Sequence, residues 1–117
     1  MRHQKKIAKL GRPRDARRLL IGNLATSLII HGKIQTTQAR AKAVQPFIDR
    51  LIDTAKKKDK ITAIRLLNSV LQSELSTRKV IEELTKRYAE RKSGFTRITP
   101  IKFRSGDAAP IVQIELV

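Results

Sequence analysis

The sequence predicts an α+β fold, in which about four helices pack on a small three-stranded mixed sheet within a single domain. Three observations predict this class. Apolar residues recur at helical spacing between Pro13 and Tyr88, and after Gly94 the pattern changes to β-branched and alternating residues. The chain has 117 residues, of which 40% are hydrophobic, and this is enough for one domain with a modest core.

The first helix is predicted to begin at Pro13, which suits a first helical turn, and to end at His31, because Gly32 suits a left-handed C-cap. Its buried stripe has apolar residues at i, i+4, i+8 spacing, namely Leu20, Leu24 and Leu28, joined by Ile21 and Ala25. Lys33 to Thr36 then form a short candidate strand. The folded part of the chain therefore starts with a helix that leads into a strand.

A second helix follows, and either Thr36 or Thr37 can serve as its N-cap. The apolar stripe of this helix consists of Val44, Phe47, Ile48, Leu51, Ile52 and Ala55. Pro46 interrupts the stripe, and proline removes a helical hydrogen bond, so we expect a kink or a helix restart at this position.

Two more helices are predicted after a lysine-rich turn. The third begins at Asp59 or Thr62, and the fourth is capped by Ser76 and ends at Ser93-Gly94. Their apolar residues are Ile64, Leu67, Val70 and Leu71 in the third helix, and Val80, Ile81, Leu84 and Tyr88 in the fourth. Both patterns predict helices with one face in the core.

Two strands complete the predicted fold. Phe95 to Phe103 is rich in β-branched and aromatic residues, and Gly106-Asp107 with Pro110 marks a loop. Ile111 to Val117 alternates between apolar and polar residues, as a strand with one buried face does. Because the first strand is remote in sequence from these two, parallel and antiparallel pairing both stay open for it, and the sheet is predicted as mixed.

Positive charge is the strongest signal in the composition. The chain carries 26 Lys and Arg against 10 Asp and Glu, a net charge of +16, whereas soluble small domains rarely exceed about 8. Such a surplus calls for a polyanion, which can be nucleic acid, an anionic membrane surface or an acidic protein. Residues 1–18 hold eight basic groups against Asp15 alone. We therefore divide the chain into a basic extended arm, residues 1–12, and a globular α+β domain, residues 13–117.

The residue types that catalysis and metal binding require are scarce. The chain has no cysteine, which excludes disulfides and thiolate metal sites, and its two histidines are too few for a His-based metal site. Gly32-Lys33 lacks the rest of a phosphate-binding P-loop. The carboxylate pairs Asp49/Asp53 and Glu82/Glu83 have basic neighbours and are typical of a salt-bridged surface. We expect a protein that is not an enzyme and has no cofactor, metal site or small-molecule substrate.

Membrane insertion and export are not expected either. The most apolar run, Leu19–Ile30, has 12 residues, well short of the roughly 20 that a membrane-spanning helix needs. Basic Met1–Lys9 leads into no uninterrupted apolar stretch of the kind a signal peptide contains. The sequence therefore indicates a cytoplasmic protein without a membrane partner.

Four arginines crowd the predicted start of the first helix, namely Arg12, Arg14, Arg17 and Arg18. This end carries the positive pole of the helix dipole, where each cation costs about 0.3–1 kcal/mol. A phosphate held there by open N–H groups and arginine side chains removes that cost. The alternative is that the arginines extend into water.

The aromatic residues bear on the kind of nucleic acid. Only four are present, and Phe47 and Tyr88 lie on apolar stripes, so aromatic platforms for base stacking are poorly supplied. Recognition of backbone and shape in a folded RNA fits better.

Several separated motifs resemble the family of bacterial large-subunit ribosomal protein seventeen. They are Met1-Arg2-His3 with Lys5, Leu10, Arg12 and Arg17; Asn23, Ala25, Ser27-Leu28 and His31; Ile34-Gln35-Thr36-Thr37 with Ala41-Lys42; Gly94-Phe95-Thr96-Arg97-Ile98; and Phe103-Arg104-Ser105-Gly106-Asp107, Pro110 and Ile114-Glu115-Leu116-Val117. The resemblance is weak between about residues 56 and 90. The sequence departs from the family pattern at Ala8 and at Arg14-Asp15-Ala16, where the family usually has Arg and a Ser-Ser-His run.

The resemblance implies an α+β fold, binding to large-subunit ribosomal RNA, and a place in the ribosome near the exit of the peptide tunnel, beside other large-subunit proteins. Residues taken from the resemblance and from the charge pattern together form the predicted RNA-binding set: Arg2, His3, Lys5, Lys6, Lys9, Arg12, Arg14, Arg17, Arg18, Lys33, Thr36, Thr37, Arg40, Lys42, Arg97 and Arg104. The two threonines can instead act only as caps, and Gly94 and Gly106 can be ordinary turn glycines rather than points of close approach to phosphate.

The functional hypothesis is a structural constituent of the large ribosomal subunit that binds and stabilises folded ribosomal RNA. In it, the arm threads between RNA helices while the globular domain covers their junction. The alternative is a DNA-binding architectural or regulatory protein, in which the third and fourth helices form a helix-turn-helix. Four glutamates oppose it, because they repel the phosphates that line a major groove, namely Glu74, Glu82, Glu83 and Glu90.

Overall fold

A computed structural model describes residues 9–117 of the chain. Its elements in chain order are α1 (Arg14–His31), β1 (Lys33–Thr37), α2 (Gln38–Lys57), α3 (Lys60–Val70), α4 (Glu74–Lys79), a π-helical segment (Val80–Leu84), α5 (Thr85–Arg87), β2 (Thr96–Phe103) and β3 (Pro110–Leu116). The last three helical pieces follow one another without a break and correspond to the single predicted fourth helix, but they end at Arg87 and not at the predicted Ser93-Gly94. The predicted α+β fold class is confirmed.

Helix α1 has the predicted bounds but a different buried face. Pro13 occupies the N-cap position, and Gly32 ends the helix with a φ of 81° while its N–H donates to the Leu28 carbonyl. The residues that α1 buries are Gly22, Ala25, Thr26, Leu28 and Ile29. Ala25 and Leu28 of the predicted stripe are therefore buried, whereas its Leu20, Ile21 and Leu24 are only half-buried. The helix is therefore rotated from the predicted orientation.

Gly22 explains this rotation. A Cβ atom built on it would lie 2.8 Å from the carbonyl oxygen of Val70 at the end of α3. The small residue lets the backbones approach, and Thr26 on the same face accepts a hydrogen bond from the Gln72 N–H at 3.0 Å. Close backbone contact, rather than a leucine stripe, thus sets which side of α1 faces the other helices.

Helix α2 runs through Pro46 without interruption, so the predicted restart is wrong. The hydrogen bond that proline removes would end on the carbonyl of Lys42, and both residues are exposed, so water can satisfy that oxygen. A second correction concerns α4, whose N-cap is Ser73 instead of Ser76. Ser76 is fully buried and uses its hydroxyl to donate to the Ser73 carbonyl at 2.6 Å.

The sheet is antiparallel throughout, with the strand order β1-β3-β2. The prediction of a mixed sheet is wrong, because β3 folds back on β2 through a hairpin and β1 pairs with its other edge in the opposite direction. In the central rung, Ile34 pairs with Ile114, and Ile98 pairs with Ile114 from the other side. The inner face carries Val112, Ile114 and Leu116, which are all buried against the helices.

One hydrophobic core fills the space between the helices and this inner face. Tyr88 and Phe95 close it at one end, with ring centroids 5.0 Å apart. The Tyr88 hydroxyl donates to the Val117 carbonyl at 2.8 Å. Within residues 9–117 no element covers the outer face of the sheet, on which Lys33, Gln35 and Arg97 are exposed.

Candidate nucleic-acid interface

The start of α1 leaves backbone donors open. The first hydrogen bond inside the helix runs from the Arg17 N–H to the Pro13 carbonyl at 2.9 Å. The N–H groups of the residues between them point out of the helix end, where the dipole is positive. Proline has no side-chain acceptor to cap them, and Asp15 is the acidic residue of the first turn. This helix end can accept an anion.

Five cations surround that helix end, and we call them the α1 cluster: Lys9, Arg12, Arg14, Arg17 and Arg18. A tight turn before the helix brings the first two together, because the Arg12 N–H donates to the Lys9 carbonyl at 3.1 Å. Arg17 is half-buried and the other four are exposed. Within residues 9–117 none of the five forms an ion pair. The predicted contacts Arg2, His3, Lys5 and Lys6 lie outside the described residues.

The junction of β1 and α2 holds the next predicted group. Thr37 occupies the N-cap position of α2, but its side chain makes no capping hydrogen bond in this described segment. Thr36 points towards the inner face, since it pairs with buried Val112. Arg40 is half-buried in the first turn of α2, and Lys42 is exposed. The helix therefore begins beside cations and without an acidic residue in its first turn.

Lys33 and Arg97 are far apart in sequence, but β3 brings them into one row. Both pair with Glu115, one from each side, and all three side chains lie on the outer face. The Arg97 Nη1 atom is 3.8 Å from the Glu115 Oε1 atom, so the pair is loose and exposed. The row keeps a net positive charge after this partial neutralisation.

The Arg104 side chain binds Asp107 within its own loop. Its Nε and Nη2 atoms donate to the two carboxylate oxygens of Asp107 at 3.0 and 2.6 Å. The Arg104 hydrogen bonds lower the pKa of Asp107 to about 2, and the same contact raises the pKa of Arg104. A guanidinium has five N–H donors, so three remain for a further partner. Near the other end of β2, Gly94 has a φ of 68°, and this turn conformation accounts for the glycine there.

The structure also shows a basic hollow that the sequence did not predict. Lys56, Lys58, Lys60 and Lys86 line an open hollow of about 490 Å³ together with Glu82. Lys56 also donates to the Arg91 carbonyl, and its ammonium lies 5.4 Å from the centre of the Phe95 ring. The run Lys56-Lys57-Lys58 was the available signal for this hollow. The sequence predicts a turn there, but Lys56 and Lys57 form the last turn of α2 and Lys58 is its C-cap.

Two further results limit the kinds of site in the described part of the chain. Residues 9–117 contain no group of three or more His, Cys, Asp or Glu side chains that could hold a metal ion. None of their helices is both long and apolar enough to cross a membrane. The described surface is thus dominated by its cations and its open sheet face.

These features define a small, strongly basic α+β protein with one helix-covered sheet face and one open, polar face. A family model described as ribosomal protein L17 matches residues 20–117. The chain is 43% identical to the large ribosomal subunit protein bL17 of Neorickettsia sennetsu, with 100% of both chains covered. It is 42% identical to bL17 of Sulfurimonas denitrificans, also with 100% of both chains covered.

A third relative, bL17 of Clostridium botulinum, is 42% identical over 109 residues, which is 93% of this chain and 96% of the relative. The similarity therefore extends over the helices and the strands alike. The chain belongs to the ribosomal protein L17 family, and the resemblance predicted from its motifs is confirmed.

Proposed function

We propose that this protein is a structural constituent of the large ribosomal subunit that binds and stabilises folded ribosomal RNA. Its relatives are named as proteins of the large ribosomal subunit, and this similarity supports its assignment to the same subunit. The main observation in favour of RNA binding is the α1 cluster. Its five cations surround open backbone N–H donors, and none of them forms an ion pair within residues 9–117. Its location is the cytoplasmic ribosome, near the exit of the peptide tunnel and beside other large-subunit proteins.

The mechanism is neutralisation of charge together with shape. Phosphates accept hydrogen bonds from the open N–H groups of α1 and from the arginine side chains beside them. The arm, residues 1–12, threads between RNA helices, and the globular domain, residues 13–117, covers their junction. Each phosphate contact releases condensed counterions, so affinity falls as salt rises, with a log–log slope of about −7 to −9 for roughly ten contacts.

Deletion of residues 1–12 tests this mechanism. In reconstitution of large subunits from purified components, the shortened protein should be incorporated less than the full chain, because Lys9, Arg12 and the rest of the arm are lost. Its melting temperature should stay close to that of the full chain, since Lys9, Gly11 and Arg12 are exposed and none of residues 9–12 belongs to the hydrophobic core. Full incorporation of the shortened protein would overturn the role of the arm.

The DNA-binding alternative needs α4 in a major groove. Helices α3 and α4 are joined by a short turn, as a helix-turn-helix requires. However, Glu74 is exposed on α4, and Glu82 and Glu83 are exposed on the π-helical segment that follows it. Filter binding at matched salt decides between the two. Folded large-subunit RNA should bind more tightly than duplex DNA of equal phosphate content, and equal affinity for both would favour a general architectural role.

The predicted neighbourhood has its own test. Chemical cross-linking of purified large subunits, followed by mass spectrometry, should join lysines of this protein to other large-subunit proteins near the tunnel exit. Cross-links confined to proteins remote from that exit would contradict the location and leave RNA binding unaffected.

A further inference from the structure

The β2–β3 hairpin extends beyond the helices and carries an exposed aromatic ring. Every residue from 99 to 108 is exposed, and we call this segment the hairpin tip. Phe103 has 73% of its surface exposed, compared with 1% for Phe95, which directly precedes β2. An exposed phenylalanine forgoes the favourable burial that its ring offers. Phe103 is thus an exposed aromatic ring in a chain that is expected to supply few of them.

The backbone around this ring is held in one arrangement. Phe103 pairs with Pro110 in the last rung of the hairpin. The loop after it is closed by hydrogen bonds from the Arg104 N–H to the Ala109 carbonyl at 2.8 Å and from the Ala108 N–H to the Arg104 carbonyl at 2.9 Å. Asp107 ties the loop further by accepting from the Arg104 side chain and from the Ala109 N–H at 3.2 Å. A platform held in this way loses little entropy when it binds.

Cations stand on both sides of Phe103 along the chain. Lys102 is exposed and pairs with Ile111, which places it on the outer face of the sheet. Arg104 follows Phe103 and retains three N–H donors beyond its bonds to Asp107. Because β2 is an edge strand, a polymer running along its free edge reaches residues of both faces.

We propose that Phe103 stacks on an unpaired base of ribosomal RNA, with Lys102 and Arg104 contacting the phosphates next to that base. This inference rests on the proposed RNA binding and names one site for it. Aromatic rings flanked by basic side chains suit single-stranded nucleotides, since the ring meets the base and the cations meet the backbone. An apolar pocket of a protein is a poorer partner, because taking in Phe103 would remove water from two adjacent cations.

A fluorescent variant reports stacking directly. The chain has no tryptophan, so Phe103→Trp introduces a single indole at the hairpin tip. Binding to protein-free large-subunit RNA should quench its emission, as contact with a base does. The matched control is Leu75→Trp, at a side chain that is 62% exposed on α4 beside Glu74. Its emission should change little on the same RNA.

Affinity provides the second measurement. Phe103→Leu keeps an apolar side chain but removes the flat ring, and should weaken RNA binding about 5- to 140-fold, which corresponds to 1–3 kcal/mol for one stacked base. Phe103→Tyr should bind like the natural protein. The salt slope should not change for either variant, since neither alters charge. Both should melt close to the natural protein, because Phe103 is exposed.

The outcomes separate this inference from the proposed function. Quenching at position 103 alone, with loss of affinity in Phe103→Leu, supports the stacking site. Tight RNA binding by the natural protein, together with equal binding by Phe103→Leu and no quenching, overturns it and leaves RNA binding intact. An effect of Phe103→Leu that arises only after other large-subunit proteins are added also overturns it, in favour of a protein pocket. Failure of the natural protein to bind RNA overturns the proposed function itself.

Discussion

Replacing two arginines of the α1 cluster should change stability and RNA affinity in opposite directions. Arg14 lies in the first turn of α1 and Arg18 one turn later, so the two charges are neighbours on one helix face. Within residues 9–117 neither forms an ion pair. In the isolated protein both therefore oppose the helix dipole and repel each other. The double variant Arg14→Gln/Arg18→Gln removes both penalties.

The expected gain in stability follows from the position of each charge. The dipole penalty is about 0.3–1 kcal/mol per cation and falls off within the first turn, so most of it belongs to Arg14. Like charges four residues apart add about 0.2–0.5 kcal/mol. We expect the free energy of unfolding to rise by about 0.5–1.5 kcal/mol, measured by urea unfolding followed by circular dichroism.

The expected loss of RNA binding follows from counterion release. Two fewer phosphate contacts should reduce the magnitude of the log–log salt slope by about 1.4–1.8 in filter binding with large-subunit RNA. The control variant Arg65→Gln/Arg78→Gln removes two exposed arginines from α3 and α4, outside the predicted interface, and should leave the slope unchanged. An equal loss of slope in both variants, or a destabilised Arg14→Gln/Arg18→Gln protein, would refute the reasoning.

Three further substitutions test the fold. Gly22→Ala should lower the free energy of unfolding by about 1–3 kcal/mol in urea, because the new Cβ meets the Val70 carbonyl at 2.8 Å, and a stabilised variant would contradict the close contact. Asp107→Asn should make the melting temperature depend less on pH in the acid range. Arg104 lowers the pKa of Asp107 from 3.8 to about 2, so this carboxylate stabilises the fold above about pH 4, and its contribution is lost as the pH falls through 2. In thermal melts from pH 2 to pH 7, the natural protein should have the higher melting temperature above about pH 4, and this difference should shrink as the pH falls towards 2. A constant difference in melting temperature across the range would contradict the linkage. Asp49→Asn should raise the melting temperature at pH 7, because desolvation raises the pKa of Asp49 and its charge is costly in the fold, and this advantage should shrink as the pH falls and the natural side chain protonates. No gain at neutral pH would contradict it.

The sequence located most elements because their signals are local. Gly32 marks the end of α1 through its own backbone, and alternation places Val112 and Ile114 on one face of β3. Local signals could not predict which face of α1 is buried, since that face depends on the contact of Gly22 with Val70 of another helix. Pro46 was overestimated as a helix breaker because the solvent exposure of its turn is a tertiary property.

The candidate interface shows the same division. The α1 cluster is contiguous in sequence, and the residues predicted there remain together in the structure. Lys33 and Arg97 share a row only because β3 lies between their strands. Phe95 and Phe103 are the two ends of one predicted strand segment, but Phe95 is buried in the core and Phe103 is exposed. Which aromatic residue is exposed depends on the length of the hairpin relative to the helical layer.

The strand order has a consequence for biosynthesis. β3 is made after β1 and β2, yet both of them form their hydrogen bonds with β3 and neither pairs with the other. Ile34 must therefore wait for Ile114, 80 positions later, before its rung exists. A nascent chain that has produced the helices still lacks every strand pair, so no rung of the sheet can form before β3 has been made. Interrupted translation before Pro110 leaves a basic, unclosed fragment that cellular proteases can recognise and remove.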